Sequence, residues 1–318
     1  MATLARLLDI KVNVFIELDE RLREPLQRLV EELIAESGLE SQSMVVAIFI
    51  IPDSAVGPAV NHLKGVDVYP EGSYVPTAVA VPSATDERLA CSIFLAESLF
   101  SGMTYSYRPF GLVTSLLEEL LHAKVYYSQW LQNNRFLDPL DHEHLSTDII
   151  AARLHDEYVV CRTKAAIAST LPLFDIPGNP RVRSIATLSY GASVPDLVSA
   201  SLAEIRVLKR LHGEGSLIVD EVIDRIEHIV FRGILDPLAR SHAFQEGSVS
   251  ADQTEVVLPP QTDPIYTQYV VQRWNLIHRR LQKSFDRDLK GFDDTAESIA
   301  HEVRLLVSDL DSYVRSSS

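Results

Sequence analysis

The residues best suited to chemistry are Glu118-Glu119-Leu120-Leu121-His122, inside the run GLVTSLLEELLHAKVYYSQWL. The period of this run predicts a helix, on which residues four apart share a side, so Glu118 and His122 project together. At about 100° per residue, Ser115, Glu118, His122, Tyr126 and Gln129 form one polar stripe with Glu119 at its edge, opposite Leu116, Leu117, Leu120 and Leu121. A carboxylate and an imidazole so placed can grip one metal ion, and a neighbouring glutamate can take a proton from water. An amphipathic helix with a solvated acidic face carries the same pattern. A further donor is available from His155-Asp156-Glu157-Tyr158, on a second predicted helix. His155 follows His122 by 33 residues, room for a helix, a loop and a return helix. His155 and Glu157 point about 160° apart on a helix, so at most one of the two is expected to ligate.

These residues read as an altered HExxH motif, with glutamate at the position of the first histidine; carboxylates also ligate zinc. The order SIFLAESLF, GLVTSLLEELLHAKVY, ARLHDEYVVCR resembles the minimal zincin-like metallopeptidases of the gluzincin type, over roughly residues 40 to 166. In that family a sheet with an edge strand precedes the active-site helix, and a ligand-bearing helix follows. The resemblance implies Zn2+ held by Glu118 and His122, with Glu157 (the gluzincin-like ligand) or His155 as third donor and a fourth position open to water. Glu119 would be the general base, and peptide bonds the substrate. The alternative is a catalytically degenerate zincin-like scaffold that serves as a protein-binding or regulatory module. Its helical half (194–315) would then present the partner surface, with the Leu/Ile-rich face of 216–233 as a candidate. A plain helical interaction protein is the third reading.

The elements that must position these groups follow from periodicity. Residues 20–37 predict a helix ending at Gly38, and MVVAIFII (44–51) a buried strand ending at Pro52. A loop rich in Gly, Pro and Tyr is expected from Gly57 to Pro76, then strands at 77–81 and 91–100 around the turn PSATDER. Helices follow from about 110 to 131 and 146 to 169, separated by a polar loop. LPLFDIPGNPRVR (171–183) marks a boundary. Beyond it, helices are predicted at 194–212, 216–233, 234–243, 265–286 and 294–315, with a long loop at 242–264 that could cover a site. The expected fold is α+β: a small mixed or antiparallel sheet with zincin-like active-site helices (1–170), followed by a largely α-helical domain (171–318).

Composition excludes several classes. Lys and Arg total 29 against 44 Asp and Glu, a net charge of −15, which opposes phosphate backbones and anionic membranes. No apolar run nears the ~18 residues a spanning helix needs. The opening MATLARLLDIKVNVFIELDERL has no clean apolar h-region. Cys91 and Cys161 form no CxxC pair, and both read as buried thiols in a reducing compartment. A cytoplasmic protein that binds neither nucleic acid nor membrane, and whose substrate or partner is a peptide or protein, is the expectation. No second ExxH accompanies Glu119/His122, so a di-iron bundle is not predicted. Asp224/His228 and Glu297/His301 are spaced at i, i+4 instead. The cluster His142-Glu143-His144 falls in a loop. Nucleotide-binding glycine loops and a GxSxG elbow are missing from the sequence.

Overall fold

The computed structural model describes residues 11–17, 19–39, 45–70, 72–73, 75–84, 89–104, 109–133, 146–170, 181–247, 263–285 and 292–316. The chain divides into two compact units, Met1–His142 and Glu143–Ser318. The fold is mixed: a four-stranded sheet with helices in the first unit, and helices throughout the described residues of the second.

In the first unit the strands are β1 (Lys11–Val14), β2 (Val45–Ile51), β3 (Ala78–Ala84) and β4 (Leu89–Ala96), in the order β1-β2-β4-β3. β1 and β4 both run parallel to β2, with Val12 opposite Ile48 and Ile48 opposite Ile93. β3 is antiparallel to β4, with Val79 opposite Phe94, and forms one edge of the sheet. Parallel neighbours need a crossover. Helix α1 (Glu20–Ser37) supplies the one between β1 and β2. It starts where Asp19 accepts from the Arg21 amide at 2.9 Å and stops at Gly38, whose φ of 73° favours a residue without a Cβ.

Alternation along the strands divides the core. Ile51, Val79, Val81, Phe94 and Ala96 pack with Val56 and Val60 of α2 (Val56–Lys64). On β4 the residues of opposite parity, Leu89, Cys91, Ile93 and Leu95, are buried on the other face, where α3 (Phe110–Asn133) packs against β3 and β4. Helix α2 lies where a loop is expected from Gly57. Its Pro58 occupies the first turn, where a missing amide costs no helical bond. Among the described residues, periodicity misses β1, α2 and two 3-10 turns, Asp53–Ala55 and Glu97–Phe100, all of them short; the second turn replaces the end of the strand expected at 91–100.

The second unit contains α4 (Thr147–Thr170), α5 (Arg181–Gly213), α6 (Val219–His228), α7 (Asp236–Gly247), α8 (Val271–Ser284) and α9 (Phe292–Arg315). Two π-helical segments join the series: Ile229–Leu235 between α6 and α7, and Tyr266–Val270 ahead of α8. α4 packs on α7 and α9, and its Ile150, Leu154, Tyr158 and Cys161 belong to the helical core. The division of the chain therefore falls before α4, not at 170/171, because the apolar face of α4 is buried among the later helices. The Val222, Ile226, Ile229 and Val230 face turns into that core, while Ile218 and Val219 of the same span are exposed. α7 extends to Gly247, so residues 242–247 are helical where a loop is expected. The remainder of that expected loop (248–262), the segment 171–180 and the loop holding His142-Glu143-His144 lie outside the described residues.

The helix leading into α8 begins at Pro264, behind Asp263. The Asp263 carboxylate accepts from the Ile265 and Tyr266 amides at 2.9 and 3.3 Å and from Arg206 at 2.5 Å. Burial alone would raise this carboxyl; the bonds from Arg206 and the two amides outweigh it and hold it below its ordinary range. Its contribution is therefore present above its ordinary value of 3.8 and is lost as pH falls further. Asp263→Ala is expected to cost about 1–2 kcal/mol through the lost cap. Urea unfolding followed by Trp274 fluorescence, in a Trp130→Phe background, measures it.

Candidate functional site

α3 is buried on nearly every side. Leu116, Leu117, Leu120 and Leu121 are at most 2% exposed, but Glu119 (9%), His122 (7%), Tyr126 and Gln129 are buried as well. The polar stripe is thus not a solvated face, though Glu118 is only half-buried. The His122 ring lies 5.9 Å from Tyr126, 23° from coplanar, as expected for residues one turn apart. Glu119 acts on the sheet. Burial pushes the Cys91 thiol on β4 up, and the Glu119 carboxylate pushes it further, so Cys91 remains a protonated thiol. Both cysteines are free and buried.

The expected third donors lie on α4, in the second unit. His155 is 2% exposed, and burial drops its pKa to about 4 against the pull of Asp156. The ring is therefore neutral at pH 7, the form that ligates metal. Glu157 is half-buried and ion-paired to Arg240 at 2.7 Å, and Arg240 also reaches Asp236 at 3.0 Å. The five expected site residues are thus divided: Glu118, Glu119 and His122 on α3 of the first unit, His155 and Glu157 on α4 of the second.

A second cluster, built entirely within the helical unit, is not among those expectations. Its centre is Glu246 on α7. His278 Nε2 on α8 lies 2.7 Å from Glu246 Oε1, and Gln282 donates to the same oxygen at 2.7 Å. Glu246 Oε2 accepts from the Tyr158 hydroxyl and pairs with Arg162 Nη1 at 3.1 Å. Arg162 also donates to the Tyr158 hydroxyl at 3.0 Å and lies 4.0 Å over the Phe285 ring. His242, one turn before Glu246, sits 4.2 Å from His278 between ring centres, and Trp274 stacks on His278 at 5.5 Å, 7° from coplanar.

Electrostatics follow this geometry. Burial would raise the Glu246 carboxyl, but hydrogen bonds from His278, Tyr158 and Gln282 bring it to about 2. Burial lowers His242 to about 4, with His278 adding to the effect. The Tyr158 hydroxyl is pushed up by burial and by its bond to Glu246. A fixed carboxylate between imidazoles can hold a cation or orient a ring for proton transfer.

The signal in the sequence was the spacing. His242-Ala-Phe-Gln-Glu246 places two donors at i, i+4, and His278-Arg-Arg-Leu-Gln282 repeats it. It is readable only once residues 242–247 are taken as helix. Comparisons with protein-family models, curated proteins and solved structures find no match for the chain. Among the described residues no helix is long and apolar enough to cross a membrane.

Proposed function

We propose that the chain is a zincin-like, zinc-dependent hydrolase of peptide bonds. The observation that supports this is the order of the first unit. An antiparallel edge strand, β3, pairs with β4, and β4 leads into α3 with Glu118-Glu119-Leu120-Leu121-His122 in mid-helix. The donors on α3 fit the ion: a carboxylate and an imidazole four residues apart, with a buried glutamate beside them.

Zinc bound there would supply Lewis acidity and a water of lowered pKa. Glu118 and His122 hold their positions through the helix backbone, and the leucines opposite keep α3 fixed against the sheet. Glu119 takes the proton of the attacking water on its carboxylate and returns it to the leaving amine. The burial of Glu119 keeps bulk water from competing for that proton.

Glu119→Gln is expected to keep the metal and lower kcat by about 10²- to 10⁴-fold. His122→Ala is expected to lose the zinc held on α3, lowering zinc content by one ion per chain, together with turnover. Zinc content by mass spectrometry, read beside cleavage of a peptide library, checks both. Parental cleavage by Glu119→Gln would sink the mechanism. Glutamate at position 118, where the HExxH motif has its first histidine, motivates a second reading, a zincin-like scaffold that binds a protein partner without turnover. A parent with no cleavage and with zinc content unchanged by His122→Ala moves the assignment there.

A further inference from the structure

The helical unit carries a donor set of its own. One ring nitrogen of His242, one carboxylate oxygen of Glu246 and one ring nitrogen of His278 all lie within 4.8 Å of one another. We infer that His242, Glu246 and His278 form a binding site for a divalent transition-metal ion, with zinc the ion their chemistry favours. Two imidazoles and one carboxylate are the donors of many catalytic zinc sites and of the two-histidine, one-carboxylate iron sites. Three protein donors leave a fourth position for water or substrate.

The local architecture provides what such a site needs. His242 and Glu246 share one side of α7 because they are four apart, and α8 brings His278 against them. Donors around tetrahedral zinc sit about 3.5 Å apart. The 2.7 Å separation of His278 Nε2 and Glu246 Oε1 therefore has to open by under about 1 Å. The outer partners hold the carboxylate in place. Tyr158 and Arg162 engage Oε2, which leaves Oε1 toward His278 and Gln282.

Two further observations point to a ligand. His242 Nε2 is buried and has no hydrogen-bond partner among the described residues, although it sits within a polar cluster. Both donor-bearing helices also follow π-helical segments, 229–235 before α7 and 266–270 before α8. Such segments are rare, gather at functional sites, and shift the register of the side chains that follow them. All three donor residues are half-buried.

The test uses the full chain carrying His122→Ala, which isolates this cluster from the α3 motif. Zinc affinity is measured by competition with a chromophoric chelator, and the thermal midpoint is read with and without zinc. One zinc per chain is expected, with a raised midpoint. Adding His242→Ala should weaken binding at least 100-fold and abolish the rise. His278→Gln keeps an amide donor for Glu246 but loses the imidazole, and it should do the same while melting like its parent in chelator. Absence of zinc binding in the His122→Ala protein overturns the site. So does binding that neither His242→Ala nor His278→Gln weakens.

Discussion

Glu246→Ala is expected to cost the helical unit about 3 kcal/mol, the low end for breaking a partly buried ion pair. The single carboxylate is the acceptor for Tyr158, Arg162 and Gln282 and the partner of His278. Removing it leaves the Arg162 guanidinium, whose side chain is 24% exposed, without its anion. The pH dependence distinguishes this from loss of packing. Glu246 titrates near 2 in the fold against an ordinary 4.5, so its contribution is complete above about 4.5 and fades as pH falls toward 2. In chelator-containing buffer the gap between parent and variant should close over that window, by on the order of 3 kcal/mol. Urea unfolding monitored by Trp274, which stacks on His278, reads it directly. A gap unchanged down to pH 2 would assign the loss to packing. The control is Glu24→Ala. Glu24 pairs with Arg28 on the open face of α1, where both side chains are more than half exposed, and under about 0.5 kcal/mol is expected.

What was legible in the sequence was what periodicity and burial determine together. VVAIFII and LACSIFLA are apolar on both faces because helices cover both sides of the sheet, and both are strands. The leucines of α3 and the face of α9 announce their helices in the same way. Elements whose formation depends on distant neighbours were not legible. KVNV is four residues long and becomes a strand only by pairing with β2. VGPAVNHLK reads as loop from Gly57-Pro58, yet Val56 and Val60 close the core beneath β3 and β4.

The same distinction applies to the sites. Glu118, Glu119 and His122 stand out because they interrupt a leucine run on a helix that period alone reveals. The burial of Glu119 and His122 was not visible, since a polar stripe on a wheel reads as a solvated face. His242 and Glu246 were hidden by composition. The residues after them, Gly-Ser-Val-Ser, read as loop, and the helix continues to Gly247 through contact with α4, which local sequence does not encode. A donor pair at i, i+4 signals a site only when the backbone between is helical.

That contact makes Gly247→Ala the second large effect, with a sign opposite to helix propensity. Glycine to alanine in a helix ordinarily gains up to about 1 kcal/mol. A Cβ at Gly247, however, would lie 2.2 Å from the Arg162 carbonyl oxygen and 2.8 Å from Ala165 Cβ. A backbone oxygen cannot swing aside as a side chain does, so α4 and α7 must separate, at an expected cost of about 2–3 kcal/mol. Gly213, at the end of α5, has nothing within 4 Å of the same position, and Gly213→Ala should stabilise by about 0.4–1 kcal/mol. Unfolding of the two variants side by side separates steric approach from intrinsic propensity. Because Gly247 follows Glu246, and Arg162 both blocks the Cβ and holds the carboxylate, the separation must also pull Glu246 from Tyr158 and Arg162. Gly247→Ala should therefore weaken zinc binding at His242, Glu246 and His278 without removing a donor. Unaltered zinc affinity beside lost stability would mean that the donors hold their geometry independently of the α4–α7 contact.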